Sequence, residues 1–253
     1  MDIETITDWE LVRQVFEMPS SATLEELREA VRRKYESGFV PAPYHIPICI
    51  ALIDVDAETF MVTNAAVLEN EEKVLLQQFW KVVRFRRGVS ARTTLVHFNG
   101  RSFDLPVLFY RSLKHRIPIF NWDRSRYSID QIRTSTQQPP GRTDLALSHD
   151  ICDDLADFGA SSRMSLNAIC KLLGLPGKTD IDGSQIEELY RKGERDRIKD
   201  YCMSDTLATY QVWLTVKFTR GEINEENYQK CFQEAEETVH NCRLNTNGYF
   251  RST

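Results

Sequence analysis

Three short acidic patches lie far apart in this chain: Asp2-Ile3-Glu4, Asn99-Gly100-Arg101-Ser102-Phe103-Asp104 and Tyr201-Cys202-Met203-Ser204-Asp205. Their four carboxylates and one phenol form a single set only in a fold that draws the start, the middle and the last quarter of the chain to one place. Asp2 and Glu4 are two residues apart, so on a strand both side chains leave the same face. Tyr201 and Asp205 are four apart within residues 195–218, a stretch of helix-forming composition, and fall one turn apart on one helical face. Asp104 follows a loop at 99–102 and precedes Pro106, which fits the first turn of a helix, where a negative charge is favourable.

Carboxylate oxygens suit hard cations, and an octahedral oxygen site points to Mg²⁺ or Mn²⁺. The residues flanking the acids show no His/Cys spacing of the zinc type, so no zinc site is expected. In a two-metal site, with ions roughly 3.5–4 Å apart, one ion generates the attacking nucleophile from water and the other stabilises the leaving oxygen. Tyr201, with a reference pKa of about 10, is a poor general base at neutral pH, and orienting a water is the role that suits it. The residues therefore point to a metal-dependent nuclease.

In this order and with these separations, Asp-x-Glu, Asn-x-x-x-Phe-Asp and Tyr-x-x-x-Asp resemble the three motifs of the DEDDy 3′–5′ exonucleases, which include the proofreading domain of family B DNA polymerases. Residues 95–108 resemble the second motif of a stand-alone bacterial exonuclease family related to that domain. So does the run from Ser165-Leu166 through Leu173-Gly174-Leu175-Pro176-Gly177-Lys178 to Tyr201 and Asp205. Nothing beside Tyr201 and Asp205 reads like the histidine-bearing third motif of the sister class. The resemblance covers roughly residues 1–218, with 219–253 as a C-terminal helical extension and polar tail. It implies one α/β domain of RNase H-like fold, a mixed sheet flanked by helices, using two Mg²⁺ or Mn²⁺ ions to release nucleoside monophosphates from a 3′ end. It makes Asp2, Glu4, Asp104 and Asp205 the metal ligands and Tyr201 the water-orienting residue. Asn99 and Phe103 become contacts to the terminal nucleotide, though both equally suit local loop and core roles.

The substrate expected is a single-stranded 3′ end, DNA ahead of RNA, with a polymerase or repair complex as candidate partner. Two alternatives stay open: a 3′–5′ exoribonuclease, and a catalytically weak nucleic-acid-binding module of the same fold. Only Met1 precedes Asp2, whereas the family has several apolar residues there. A strand beginning at its own metal ligand should lose ladder hydrogen bonds and fray, so either the start lies upstream or metal binding is weak.

With 253 residues and 42% hydrophobic content the chain can bury one substantial core. Residues 46–54 and 59–68 read as a hairpin, 71–87 as a helix stopped at Gly88, and 93–98 as a short buried strand. Helices are predicted at 105–115, 165–173, 183–192, 195–218 and 225–240, with a break at Gly174-Leu175-Pro176-Gly177. Two stretches read as irregular: 5–44, with a helix at 24–35, and 123–149; each is a surface insertion or a loop over the site.

Net charge is −5, but residues 81–126 carry eleven Lys and Arg against Asp104 and Asp123. Arg101, Arg111, Lys114, Arg116, Arg124 and Arg126 are therefore candidates for holding a phosphate backbone, the other reading being a face whose cations pair with acids elsewhere. Asp150, Asp153 and Asp154 suit a helix start, and His97 suits a packed strand position. The six cysteines show no close pair and fit reduced, buried thiols of a cytoplasmic protein. No targeting segment and no membrane span is read in the sequence, so no membrane partner is expected.

Overall fold

The computed structural model of the chain describes residues 1–89, 94–119, 147–175 and 181–244. Strands β1 (Asp2–Thr7), β2 (His45–Val55) and β3 (Val62–Glu69) form an antiparallel sheet in the order β1-β2-β3. Strands β4 (Thr94–His97) and β5 (Leu147–Asp150) pair in parallel. The nitrogen of Met1 donates to the carbonyl of Val96 over 2.8 Å, which sets β4 beside the start of β1. The fold is mixed α/β, with helices on both faces of the antiparallel sheet.

Alternation along the strands assigns the faces. Ile3, Ile50, Leu52 and Leu68 pack with Leu75, Leu76 and Phe79 of α3 (Glu72–Val89) and with Leu105 and Leu108 of α4 (Asp104–Lys114). Ala51, Val62 and Ala65 face the other way. They meet α7 (Ile186–Lys192), the long α8 (Arg195–Thr219) and α9 (Glu225–Leu244). Fully buried side chains such as Leu75, Leu76 and Phe79 contribute roughly 1.5–3 kcal/mol each. Smaller helices α1 (Trp9–Val15) and α2 (Leu24–Lys34) close a separate cluster around Val12, Leu27 and Val31, and α5 (Ile151–Leu155) and α6 (Leu166–Leu172) precede α7.

A bulge interrupts the β1–β2 register. Glu4 pairs with Cys49 but Thr5 pairs with Pro47, leaving Ile48 as an extra residue. Ile48 and Cys49 then join the same core, and the alternation resumes with Ile50 on the opposite face. Pro47 has no N–H to give the ladder, and a bulge is where a strand tolerates that.

Most predicted elements stand within a few residues; the helix predicted to stop at Gly88 runs through it to Val89, and three stretches differ more. The irregular stretch at 5–44 instead continues β1 to Thr7 and holds α1, because the Asp8 carboxylate caps that helix by accepting from the Leu11 N–H at 3.0 Å. The second hairpin strand begins at Val62 and not at 59, because Thr59 donates its N–H and hydroxyl to Asp56 in the turn. The irregular stretch at 123–149 ends in β5; its residues 123–146 lie outside the described residues. The C-terminal segment supplies α9, whose Cys231, Ala235 and Val239 share the core of α8 and β3. No described helix is long and apolar enough to cross a membrane.

Arg111, a candidate backbone contact by sequence, is 1% exposed and takes a structural part instead. Its guanidinium holds Asp8 at 2.7 Å and Glu72 at 2.9 Å, tying the end of β1 to the first turn of α3 from the last turn of α4. Burial opposes both negative charges, but Arg111 beside them holds both carboxyls below their ordinary values. Deleting it leaves Asp8 with only Lys114 and Glu72 with only His115 as side-chain partners, so Arg111→Ala should lower the free energy of unfolding by about 3 kcal/mol. A urea titration at neutral pH checks this; an unmoved midpoint would mean the network does not hold these three elements together.

Candidate metal centre

Asp2 and Glu4 leave β1 on the face opposite Ile3, as their spacing predicts, and point toward α8. Their carboxylate oxygens and the thiol of Cys202 lie within 4.8 Å of one another. Cys202 follows Tyr201 on α8, and its Sγ also reaches the backbone carbonyl of Asp2 at 3.5 Å. Asp104 opens α4 and is 6% exposed; Asp205 lies on α8 one turn beyond Tyr201 and is 9% exposed. Tyr201 is buried in the core between α8 and the sheet.

Electrostatics ties the four acids into one group. Burial raises the Asp2 carboxyl well above the ordinary range, and the charges of Asp104 and Asp205 raise it further. Burial does the same to Glu4, with Asp2, Cys49, Asp205 and Asp104 adding to the effect. Burial pushes Asp104 up to about 6 even though His97 pulls the other way. The positive groups acting most strongly on these acids are the Met1 ammonium, which lowers Asp2 and Asp104, and His97, which lowers Asp104, yet all three carboxyls stay above their ordinary values. A bound cation relieves the repulsion that remains, and the donor set, mainly carboxylate oxygen, fits hard divalent ions. The Cys202 thiol adds a softer donor that sequence spacing did not reveal. Nothing in a single buried cysteine between two motif residues signals that position.

The loop carrying Asn99, Gly100 and Arg101 is shaped by Asp150, the last residue of β5. Its carboxylate accepts from the backbone N–H groups of Asn99 at 2.8 Å and Arg101 at 2.9 Å, and caps α5 by accepting from Cys152 at 3.1 Å. The helix-start role predicted for Asp150 is thus present, but the second role toward the loop escaped the sequence reading. That role follows from the strand register, which only the fold supplies: His97 of β4 stands opposite Asp150 of β5. His97 is fully buried, as predicted, with Nε2 against the Ser148 hydroxyl and Nδ1 3.5 Å from Asp150. Burial works against the Asp150 charge, but His97 and the two loop N–H groups hold its carboxyl below the ordinary range.

Two backbone positions explain the loop's residue types. Asn99 has φ of 59°, the left-handed region that asparagine tolerates better than most residues. A Cβ at Gly100 would stand 2.7 Å from Cγ and Nδ1 of His97, so glycine alone lets the loop close over that ring. Arg101 pairs with Asp153 at 2.8 Å and keeps 28% of its side chain exposed; Arg163 also binds Asp153 and reaches the Ser102 hydroxyl at 3.1 Å. Phe103 is half-buried and packs against the rings of Phe39 and His45.

The basic stretch is thus partly consumed by internal pairing. Arg111 and Lys114 hold Asp8, and Arg101 holds Asp153. Arg116 is exposed, while Arg124 and Arg126 lie outside the described residues. At the strand start, where fraying is expected, the chain is held by contacts. Met1 is 7% exposed, packs in the core with Ile3 and Leu105, and bonds to Val96.

The model of a family described as "Predicted 3'-5' exonuclease related to the exonuclease domain of PolB" matches residues 37–251. The match takes in Asn99, Arg101, Phe103, Asp104, Tyr201 and Asp205, and begins after Asp2 and Glu4. No curated protein matches the chain. With most of its length matched, the chain belongs to this family of predicted 3′–5′ exonucleases.

Proposed function

We propose that the chain is a 3′–5′ exonuclease that hydrolyses phosphodiester bonds at single-stranded 3′ ends, DNA in preference to RNA, and releases nucleoside monophosphates. The observation that carries this is the convergence of Asp2, Glu4, Asp104 and Asp205 from three distant segments, with Glu4, Asp104 and Asp205 buried and Asp2 half-buried. We read the sheet as RNase H-like, with β1 between β2 and β4 and its acids at the centre; the Met1–Val96 bond supports that order.

These four acids are the ligands for two Mg²⁺ or Mn²⁺ ions. When bound, the ions supply Lewis acidity to the attacking water and the leaving 3′ oxygen. Tyr201, one turn before Asp205, orients the water through its hydroxyl. Asn99 and Phe103 hold the terminal nucleotide beside Asp104. Arg101, with its exposed part, meets a substrate phosphate, and its pairing with Asp153 fixes where that charge stands.

A 5′-labelled single-stranded oligonucleotide should shorten stepwise from its 3′ end with Mg²⁺ or Mn²⁺ and stay intact in EDTA. Asp205→Ala should abolish the ladder in a protein that remains folded by circular dichroism. Tyr201→Phe should slow turnover by up to about 10²-fold with metal affinity unchanged. Wild-type turnover in Asp205→Ala would remove that residue from the site, and an RNA ladder faster than the DNA one would reverse the substrate preference.

Metal binding should also depend on pH. Asp104 protonates near about 6 in the metal-free protein, and Asp2 and Glu4 are raised as well, so a cation must displace protons to bind. Affinity for Mn²⁺ is expected to climb as pH rises from about 5 to about 7, with net proton release on the acid side. Calorimetric titration in two buffers of different ionisation enthalpy measures both; pH-independent affinity without proton release would dissolve the coupled acid set.

A further inference from the structure

Joined to Phe103 of the second motif stands an aromatic group whose other members, Phe39 and His45, no exonuclease motif accounts for. Phe39 lies between α2 and β2 and is 56% exposed, the most exposed of the large aromatic side chains among the described residues. Its ring sits 4.8 Å from His45 and 5.4 Å from Phe103, and His45 meets Phe103 edge-on at 4.8 Å. Exposed apolar rings are common singly, but this one is held in place from beneath.

The support is the His45 imidazole, 5% exposed and fixed at both nitrogens. Nε2 lies 2.9 Å from the carbonyl of Val40, which can only accept, so Nε2 carries the proton. Nδ1 therefore accepts from the Thr5 hydroxyl at 3.0 Å. The first bond anchors the segment that presents Phe39. The second ties the same ring to β1 at the residue after Glu4. On the other side, Phe103 immediately precedes Asp104. The aromatic group is thus fastened at the neighbours of two acids of the centre, and Phe39 is its outermost and most solvent-exposed member.

We propose that Phe39 is a stacking face for the nucleobase next upstream of the terminal nucleotide, continuing the step that begins at Phe103. The inference rests on the exonuclease reading above and extends it to a residue outside all three motifs. A single strand binds by laying successive bases on aromatic faces, tolerantly of sequence, and an exposed ring packed against Phe103, the residue before Asp104, meets that need. His45 is a positioning residue here: it keeps the Phe39 and Phe103 faces in a fixed relation to β1.

The test uses the full chain with Ca²⁺ replacing Mg²⁺ to allow binding without turnover, and oligodeoxynucleotides with 2-aminopurine either next to the terminal nucleotide or well upstream. Wild type should quench the probe at the first position more strongly than at the second. Phe39→Ala should lose that difference, weaken binding about tenfold and raise KM more than it lowers kcat, whereas Phe39→Trp should restore both. Phe39→Leu, which keeps apolar bulk without a ring, should behave like the alanine variant. Wild-type affinity and quenching in Phe39→Ala, with the cleavage ladder intact, would overturn the stacking role and leave the exonuclease standing. Wild-type protein that neither binds nor shortens the oligonucleotide would overturn both together.

Discussion

Burying several carboxylates in one place is the constraint around which this structure is arranged. Each acid raises the cost of ionising the next, and burial removes the water that would screen them. The centre persists only if each acid is carried by an element fixed for other reasons. Asp2 and Glu4 ride on β1, held by β2 along its length and by the Met1–Val96 bond at its start. Asp205 rides on the longest helix, whose Ile198, Met203 and Leu214 are deep in the core. Asp104 opens α4, where the helix terminus favours its charge even as burial opposes it.

Other acids of the same chain show the opposite arrangement. Asp8 and Glu72 share Arg111, Asp153 has Arg101 and Arg163, and Asp154 has His149 at 3.0 Å and Arg220 at 2.7 Å. Burial opposes the Asp154 charge too, yet His149 and Arg220 hold its carboxyl far below the ordinary range. Those acids stand against side-chain cations of the protein, which fasten elements to one another. The contrast separates structural acids from the centre more sharply than burial does, since Asp8, Asp153 and Asp104 are all buried.

Periodicity carried much of this. The hairpin, the long helix with Tyr201 and Asp205 on one face, and the same-face placement of Asp2 and Glu4 follow from spacings that short-range sterics enforce. What stayed hidden was set by contacts across long separations. Arg111 looked like a cation beside a motif, yet its partners Asp8 and Glu72 come from other elements that only the packed fold brings near. Asp150 organises a loop some fifty positions earlier, through a parallel strand pair that no local pattern announces. The α1 helix is the exception, since its Asp8 cap is a local signal inside a stretch whose pattern is otherwise irregular.

The bulge at Ile48 shows how fold and site meet. Glu4 is the last residue of β1 before the register shifts, and Thr5, the first after it, faces His45. One extra residue in β2 lets β1 present Glu4 to the carboxylate centre and Thr5 to the aromatic group within a single step of chain. A regular ladder would pair Thr5 with Ile48, and the imidazole three positions further along would lose its contact with the strand that bears the acids. Bulges increase local twist and re-aim side chains, and they gather beside sites for that reason. Pro47 reinforces the irregularity by withholding a ladder donor where the shift occurs. The strand thus departs from regular pairing where the proposed chemistry and the proposed base contact adjoin, which couples the geometry of one to that of the other.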